Sequence, residues 1–442
     1  MTAQSLPSVK QALREHLHQL LLPQLEQVLQ ALPDDLLQFE QAEADLRRGL
    51  LTLAGQVLEV WGQAATRHIA RPACPGCGVP MRHKGHVPTT LVSTLGDVAY
   101  RRPRWRCEDC GCECYPHDAA VRFGSHGVSW LLAKVCSRLG AQIPSFEDAR
   151  DALQEDYGVR LATETVRAIA EAAGQMVLSQ EDAHREAVAQ GVADLPQCTT
   201  TPERACLYAD GTMLHSAGDW HEIRVNVVIT EDAQSQPLQR RSQARFLSPT
   251  KMGWLLVLMA RSVGYQNARC RAFIADGAAW LWKLQQEYFA GAIAILDWYH
   301  LAEKVHLAAN GLYGERTTAA EQWAAELKAE LWEGRAAGVL EQVRAQETRT
   351  RSPTKRAAVH ALRTYLENQE GHMDYPRYRA LGLPVGSGPV EGACKSLVGA
   401  RCKQAGMRNW TYAGAEGVLR LRAARQDSTF DDLWSRHLRI AA

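Results

Sequence analysis

Two aspartates of this chain end apolar runs in the same way. Asp210 closes Leu207-Tyr208-Ala209 and Asp276 closes Ala272-Phe273-Ile274-Ala275, each followed by glycine, 276 − 210 = 66 residues apart. A further apolar run, Ile293 to Leu296, ends in Asp297, with Trp298-Tyr299-His300 behind it. A carboxylate at the C-terminal tip of a buried strand stands where open α/β sheets bind their ligands, and hard oxygen donors gathered there suit divalent cations. Asp-Gly is also a common turn dipeptide, but recurrence of the Ala-Asp-Gly strand end favours the chemical reading. Glu391 follows Gly386-Ser387-Gly388-Pro389 in the first turn of a helix. An acid there ordinarily complements the helix dipole. With two strand-end aspartates in want of a third ligand, Glu391 is the candidate to supply it.

A second chemistry lies upstream. Cys74-Pro75-Gly76-Cys77 and Cys107-Glu108-Asp109-Cys110 are two CxxC knuckles, each followed by glycine (Gly78, Gly111). Between them Thr90 to Val92 and Val98 to Arg101 read as strands. Tight turns that each offer two thiolates, joined by a hairpin, make a zinc ribbon with one structural Zn²⁺. The alternative is a pair of disulfides, which a cytosolic chain disfavours. Cys112 and Cys114 are possible substitute ligands, although their CxC spacing fits a ribbon less well. Arg101, Arg102, Arg104 and Arg106 lead into the second knuckle, and Arg82, His83 and Lys84 follow the first. Such residues suit phosphate contacts, or form a solvated charged face.

The elements that must position these groups follow from periodicity. Leucine stripes at Leu13, Leu17, Leu20, Leu21, Leu25 and at Leu46, Leu50, Leu53, Val57, separated near Pro23, predict a helical region over 1–66. It is either a hairpin packed on the next domain or a self-association element. The ribbon spans 67–122. Residues 123–190 read as helical: Ser145 caps a helix to about Tyr157, Gly158 to Ala162 turns, and Thr163 caps a helix to about Val177. A helix-turn-helix would offer Thr165 and Arg167 to a DNA groove, and any helical hairpin would look much the same. From 204 to 300 three strands, a Ser248-Pro249-capped helix and two parallel strands around a helix (Ala278 to Phe289) give the order of a ribonuclease H-like sheet. A helical insertion fills 301–380, and C-terminal helices carrying Glu391 fill 381–442. The expected fold class is thus α+β and multidomain.

Composition sets the surroundings. A chain of 442 residues holds two to four domains. The formal charge is +1, yet residues 1–65 carry eight acids against four Lys/Arg, and 377–425 carry nine Lys/Arg against Glu391 and Glu416 alone. That segregation suggests a polyanion partner for the basic parts. No apolar run is long enough to span a bilayer and no secretory signal is present, so a soluble, cytoplasmic protein is expected.

From about Cys74 to Leu421 the chain resembles bacterial insertion-sequence transposases of the DDE type, in the Kra-type group. The matching text includes the CxxC pairs, Ala209-Asp210-Gly211-Thr212-Met213, Asp276-Gly277-Ala278-Ala279-Trp280, Ile295 to His300, Met373-Asp374-Tyr375-Pro376, and Gly386 to Glu391 with Cys394-Lys395. Gly392 stands where a serine is expected. The resemblance implies Asp210, Asp276 and Glu391 as a catalytic triad holding two Mg²⁺, for which Mn²⁺ can substitute, with Asp210 bridging both. It implies an insertion between Asp276 and Glu391, 391 − 276 = 115 residues apart. Asp297-x-x-His300 is similar to the acid-or-Cys-x-x-His motif of Mutator-like transposases. His300 would orient a phosphate, or be a core histidine, and Asp297 competes with Glu391 as third ligand. Lys395 and Arg401 would meet the DNA backbone. The implied activity is cleavage of inverted-repeat ends and joining of 3′-hydroxyls to target DNA, by a homo-oligomer. A ribonuclease H-like nuclease or resolvase, or a zinc-ribbon regulator, are the other classes open.

Overall fold

The computed structural model describes residue 14 and residues 21–65 and 70–438; Leu13, Leu17 and Leu20 of the first stripe lie outside the described residues. The protein is mixed α/β and divides into two compact units, Met1–Ala173 with Trp434–Ala442, and Gly174–Leu433.

In the first unit residues 21–30 are helical through Pro23, so the interruption expected at that proline falls instead at 31–35. There the Asp35 carboxylate accepts the Leu37 N–H and starts a new turn. The helix Phe39–Ala65 follows. A Cβ on Gly49 would come within 2.5 Å of the Val28 side chain, so a residue without one sets how closely these two helices pack.

The same helix lies along a three-stranded sheet. Strands β1 (Arg82–Ser93) and β2 (Gly96–Arg106) form an antiparallel hairpin, Arg82 opposite Arg106 and Ser93 opposite Gly96, and β3 (Glu113–Cys114) pairs with the end of β2. Both long strands exceed the Thr90–Val92 and Val98–Arg101 stretches that apolarity alone suggests, because ladder pairing carries the charged residues beyond them. The edge of β2 left bare before β3 is covered by side chains: Glu59 accepts the Ala99 N–H at 2.8 Å and Gln63 that of Arg101 at 3.0 Å. A bare strand edge would otherwise invite pairing with another chain.

Three helices follow, Trp130–Gln142, Phe146–Tyr157 and Thr163–Ala189. Ser129 and Ser145 cap the first two by accepting N–H bonds from Leu132 and Asp148, and Gly158, at φ +67°, ends the second. Thr163 is the first residue of the third helix rather than its cap, and its hydroxyl takes a bond from Arg150 at 3.1 Å. That helix runs to Ala189, well past Val177, and the division between the two units falls within it.

The second unit is built on a five-stranded sheet of order β6-β5-β4-β7-β8. Strands β4 (Arg204–Ser216), β5 (Asp219–Glu231) and β6 (Pro237–Arg245) are antiparallel neighbours. Strands β7 (Cys270–Ala275) and β8 (Ile293–Leu296) run parallel to β4. Parallel neighbours need crossovers, and the helices Pro249–Ser262 and Ala279–Tyr288 provide them. On β5 the alternating Ile223, Val225 and Val227 are all fully buried.

The outer edge of β8 is closed by residues 372–378. The Leu296 N–H bonds His372 O at 2.9 Å, and the hydroxyls of Tyr375 and Tyr378 donate to the Leu296 and Ala294 carbonyls at 3.1 and 3.2 Å. Residues 301–380 fold as the helices Trp298–Tyr313, Thr318–Trp332, Ala336–Arg349, Pro353–Asn368 and Tyr375–Ala380. Among the described residues no helix is long and apolar enough to cross a membrane.

Candidate functional site

Strand register brings the acids together. Tyr208 lies opposite Ile274 in the β4–β7 ladder, so two residues further on Asp210 stands level with Asp276. Ala275 lies opposite Leu296 in the β7–β8 ladder, so Asp276 stands level with Asp297. Three carboxylates therefore stand level on three adjacent parallel strands, Asp276 and Asp297 just past the ends of β7 and β8 and Asp210 within β4, which corrects the strand end expected at Asp210. Strand β4 continues to Ser216 beside β5 after β7 has stopped at Ala275, and Asp210 sits where the sheet opens.

Their environments differ. Asp210 Oδ1 accepts the Gly211 N–H at 2.7 Å, and Oδ2 faces the Cys394 thiol at 3.7 Å. Burial raises the Asp210 carboxyl above its usual range, the Gly211 N–H opposes this, and the nearby Asp276 charge adds to the rise. Burial likewise pushes Cys394 up to about 12, so it remains a neutral thiol donor.

Asp276 Oδ1 accepts from Ala278 N at 2.9 Å. Its turn is held from the helix Pro353–Asn368 and its C-cap: Tyr365 donates to the Asp276 carbonyl and Gln369 to that of Gly277, both at 2.9 Å. Gly277, at φ +96°, leaves room for the Gln369 amide that a side chain would strike at 2.9 Å.

Asp297 is fully buried and already engaged. Its Oδ1 caps the helix Trp298–Tyr313 by accepting the N–H groups of Tyr299 and His300, and its Oδ2 accepts the Ser387 N–H at 2.6 Å. Burial works to raise its carboxyl, but the bonds from His300 and Ser387 outweigh it and hold Asp297 below the ordinary range. The Asp297 carboxylate raises His300 to about 9 against the opposing effect of burial, with Asp276 and Asp210 adding to it. His300 Nδ1 lies 3.8 Å from Asp297 Oδ2, an ion-pair separation. At neutral pH His300 is a cation among three acids.

Glu391 joins them from the helix Gly388–Ala393, and Ser387 donates to its Oε1 at 2.9 Å. Asp297, His300 and Glu391 offer donor atoms all within 4.8 Å of one another, a grouping that can hold a metal. That tight group is not the Asp210, Asp276, Glu391 set expected from sequence, although Asp210 feels the charges of both Asp276 and His300. The helix continues through a π-helical turn, Cys394–Gly399, a deviation frequent at functional sites. Lys403 donates to Thr212 Oγ1 at 2.6 Å, two residues along β4 from Asp210 and on the same face.

Lys395 is exposed, but Arg401 is fully buried, its guanidinium 5.1 Å from the Trp410 ring centroid. Arg401 is therefore no phosphate contact. Ser387 and Cys394 are the site residues that spacing did not single out. Both fall in the Gly386 to Glu391 and Cys394-Lys395 stretches that carry the resemblance, which gives neither a role.

In the first unit Cys74, Cys77, Cys107 and Cys110 have all four sulfurs within 4.8 Å of one another and are placed to hold a metal such as zinc. Sγ separations are 3.5 Å for Cys74–Cys110 and Cys77–Cys107 and 3.7 Å for Cys77–Cys110. A tetrahedron with Zn–S bonds of about 2.3 Å has edges of about 3.8 Å, so the quartet needs little adjustment. Gly78 and Gly111 adopt φ +74° and +72° and return N–H bonds to the Cys74 and Cys107 carbonyls, which gives the two knuckles one geometry. The N–H groups of Gly76 and Cys77 pull the Cys74 thiol down to about 6. Cys112 and Cys114 stand outside this quartet, Cys114 against Met81 in the ribbon's apolar cluster.

Two of the four arginines before the second knuckle are paired with acids, while Arg101 is exposed and donates to the His86 carbonyl. Arg102 pairs with Asp118 and stacks 3.8 Å from the Tyr115 ring centroid. Arg104 pairs with Glu113, its Nε 3.0 Å from Oε2, whereas Arg106 is exposed. Arg167, expected to face a groove, is held along its own helix by Glu164 and Glu171. In comparison with known proteins, no protein-family model matches this chain and no curated protein matches it.

Proposed function

We propose that this chain is a DDE-type DNA transposase that cleaves insertion-sequence ends and joins their 3′-hydroxyls to target DNA. The observation that carries the reading is convergence at one sheet edge. Asp210 and Asp276 stand level on adjacent strands, Asp297 stands level with Asp276, and Glu391 is grouped with Asp297 and His300. The strand order β6-β5-β4-β7-β8, with three antiparallel and two further parallel strands, supports a ribonuclease H-like catalytic domain.

In this reading Asp210, Asp276 and Glu391 hold divalent cations through carboxylate oxygen, the donor type Mg²⁺ and Mn²⁺ prefer. Bound ions would supply charge neutralisation on the attacking and leaving oxygens. His300, cationic at neutral pH, orients a phosphate oxygen, and Asp297 fixes His300 and the loop that delivers Glu391. The cysteine quartet holds one structural Zn²⁺, and the protein works on paired DNA ends as a homo-oligomer.

Incubating the protein and Mg²⁺ with DNA that carries the flanking ends of its own coding segment tests the reading. Cleaved strands together with a joined product are expected on denaturing gels. Cleavage without joining would identify a nuclease or resolvase, and DNA binding without cleavage a regulator.

Two smaller effects should accompany this. His300→Ala should lower the cleavage rate about 10–10³-fold, the range of a lost positioning contact, with the circular-dichroism spectrum unchanged; unfolding would instead assign His300 to the core. Because Arg102 and Arg104 are paired with acids, changing both to Ala should leave the slope of log affinity against log salt nearly unaltered. Arg106→Ala should flatten that slope by about one ion. A larger change from the paired arginines would show that DNA displaces Asp118 and Glu113.

A further inference from the structure

Asp297 and Ser387 are 387 − 297 = 90 residues apart, yet they meet in a contact that the cation-holding role of the acids does not require. The Ser387 N–H donates to Asp297 Oδ2 at 2.6 Å, and the neighbouring Trp298 N–H donates to the Val385 carbonyl at 2.8 Å. Residues 385–387 are thereby pinned to the end of β8. Ser387 is 4 % exposed and sits at the N-cap of the helix Gly388–Ala393, where a serine hydroxyl ordinarily bonds a first-turn N–H. Here it makes no such cap. Its Oγ donates instead to Glu391 Oε1 at 2.9 Å, while the Val390 and Glu391 N–H groups bond the Ser387 carbonyl.

Two further facts point the same way. A Cβ on Gly386 would strike the Tyr299 ring at 2.7 Å, so the loop approaches the first turn of the Trp298–Tyr313 helix as closely as backbone allows. Asp297 also spends its remaining oxygen on the Tyr299 and His300 N–H groups. With both oxygens bonded and the side chain fully buried, Asp297 has little left to give a cation.

We propose that Asp297 and Ser387 form a latch that positions Glu391: Asp297 anchors the Ser387 backbone, and the Ser387 hydroxyl fixes the Glu391 carboxylate at the edge of the sheet where Asp297 and His300 lie. Both are positioning residues, and the inference rests on the reading of the acids as a divalent-cation site. It explains why an acid follows β8 as well as β7, level with Asp210 on β4. Asp210 and Asp276 hold the cation, and Asp297 holds the loop that brings the remaining ligand.

Two substitutions separate the links. Ser387→Ala keeps the N–H bond to Asp297 and removes only the hydroxyl on Glu391. Asp297→Asn must set an NH₂ group against either the Ser387 N–H or the Tyr299 and His300 N–H groups, because an amide offers one acceptor oxygen where the carboxylate offered two. The measurements are Mn²⁺ binding followed by electron paramagnetic resonance on the full chain without DNA, and deuterium exchange of peptides covering 385–392.

Ser387→Ala should weaken Mn²⁺ binding about 10–100-fold, as lost bonds to metal-holding side chains do, with exchange at 385–387 still slow. Asp297→Asn should weaken it by at least as much and make that segment exchange fast. Ser387→Ala binding Mn²⁺ as tightly as wild type would overturn the latch while leaving the cation site standing. So would Asp297→Asn abolishing Mn²⁺ binding with 385–387 still protected, which would make Asp297 itself a ligand. Wild-type protein that binds no Mn²⁺ would remove the cation site, and the latch with it.

Discussion

Asp210→Asn, Asp276→Asn and Glu391→Gln should each lower strand cleavage by about 10³-fold or more while leaving fold and DNA affinity close to wild type. Each amide is nearly isosteric with the acid it replaces and keeps one acceptor oxygen. At Asp210 and Asp276 that oxygen can still take the Gly211 and Ala278 N–H bonds, so the strand tips should keep their shape. What disappears is negative charge at the sheet edge. Asp276 lies close enough to Asp210 to raise its carboxyl, and His300 offsets part of that repulsion. Replacing one acid by an amide relieves repulsion, so stability should hold or rise slightly as cation affinity falls. That opposition separates a functional acid from a structural one. Since the three act as one unit, double variants should be scarcely worse than single ones. Cleavage on denaturing gels, thermal melts and Mn²⁺ binding measure the three quantities. A Glu391→Gln protein that cleaves normally in Mg²⁺ would remove Glu391 from the set.

Much of this site can be read in the chain because strand ends are local features. The apolar runs before Asp210, Asp276 and Asp297 are short and each stops at its acid, and register puts the three acids level, although β4 itself continues past Asp210 to Ser216 because pairing with β5 carries it on. The parts that could not be read depend on contacts distant in sequence. Nothing near Ser387 announces that its N–H will meet a carboxylate 90 residues earlier. Tyr365 and Gln369 look like ordinary helix residues, yet they hold the turn after β7.

Charge misled in a related way. A linear tally counts Arg102, Arg104 and Arg401 as surface cations. Folding pairs the first with Asp118 and the second with Glu113, and it buries the third near Trp410. A threonine that could cap a helix can equally accept from a neighbouring one, as Thr163 does from Arg150, and it is then the first residue of its helix rather than the cap.

The second large effect is expected at the cysteine quartet. Purified protein should carry about one Zn²⁺ per chain, and Cys77→Ser with Cys110→Ser should lose it and unfold the ribbon. The apolar cluster beneath the quartet consists of Cys74, Met81, Trp105 and Cys107, with Val79, Cys112 and Cys114 against it, so two of its buried members are themselves ligands. A cluster that small cannot hold two knuckles and a hairpin end together by apolar burial alone, and sites of this kind draw much of their folding free energy from the metal. The chosen pair is the exposed half of the quartet. Serine there removes two ligands without opening a cavity in the core, and any loss of structure follows from the metal rather than from packing. Chelation of the wild-type protein should reproduce the effect, with loss of near-ultraviolet signal from Trp105 and fast deuterium exchange over 70–82 and 103–114. The helix Phe39–Ala65 also contacts β2 through Glu59 and Gln63, so the 90–101 end of the hairpin should keep more protection than the knuckles. Full zinc content in the double variant would mean that the metal lies elsewhere. No zinc in the wild type, with the ribbon still folded, would mean that the thiols hold the knuckles by their own hydrogen bonds.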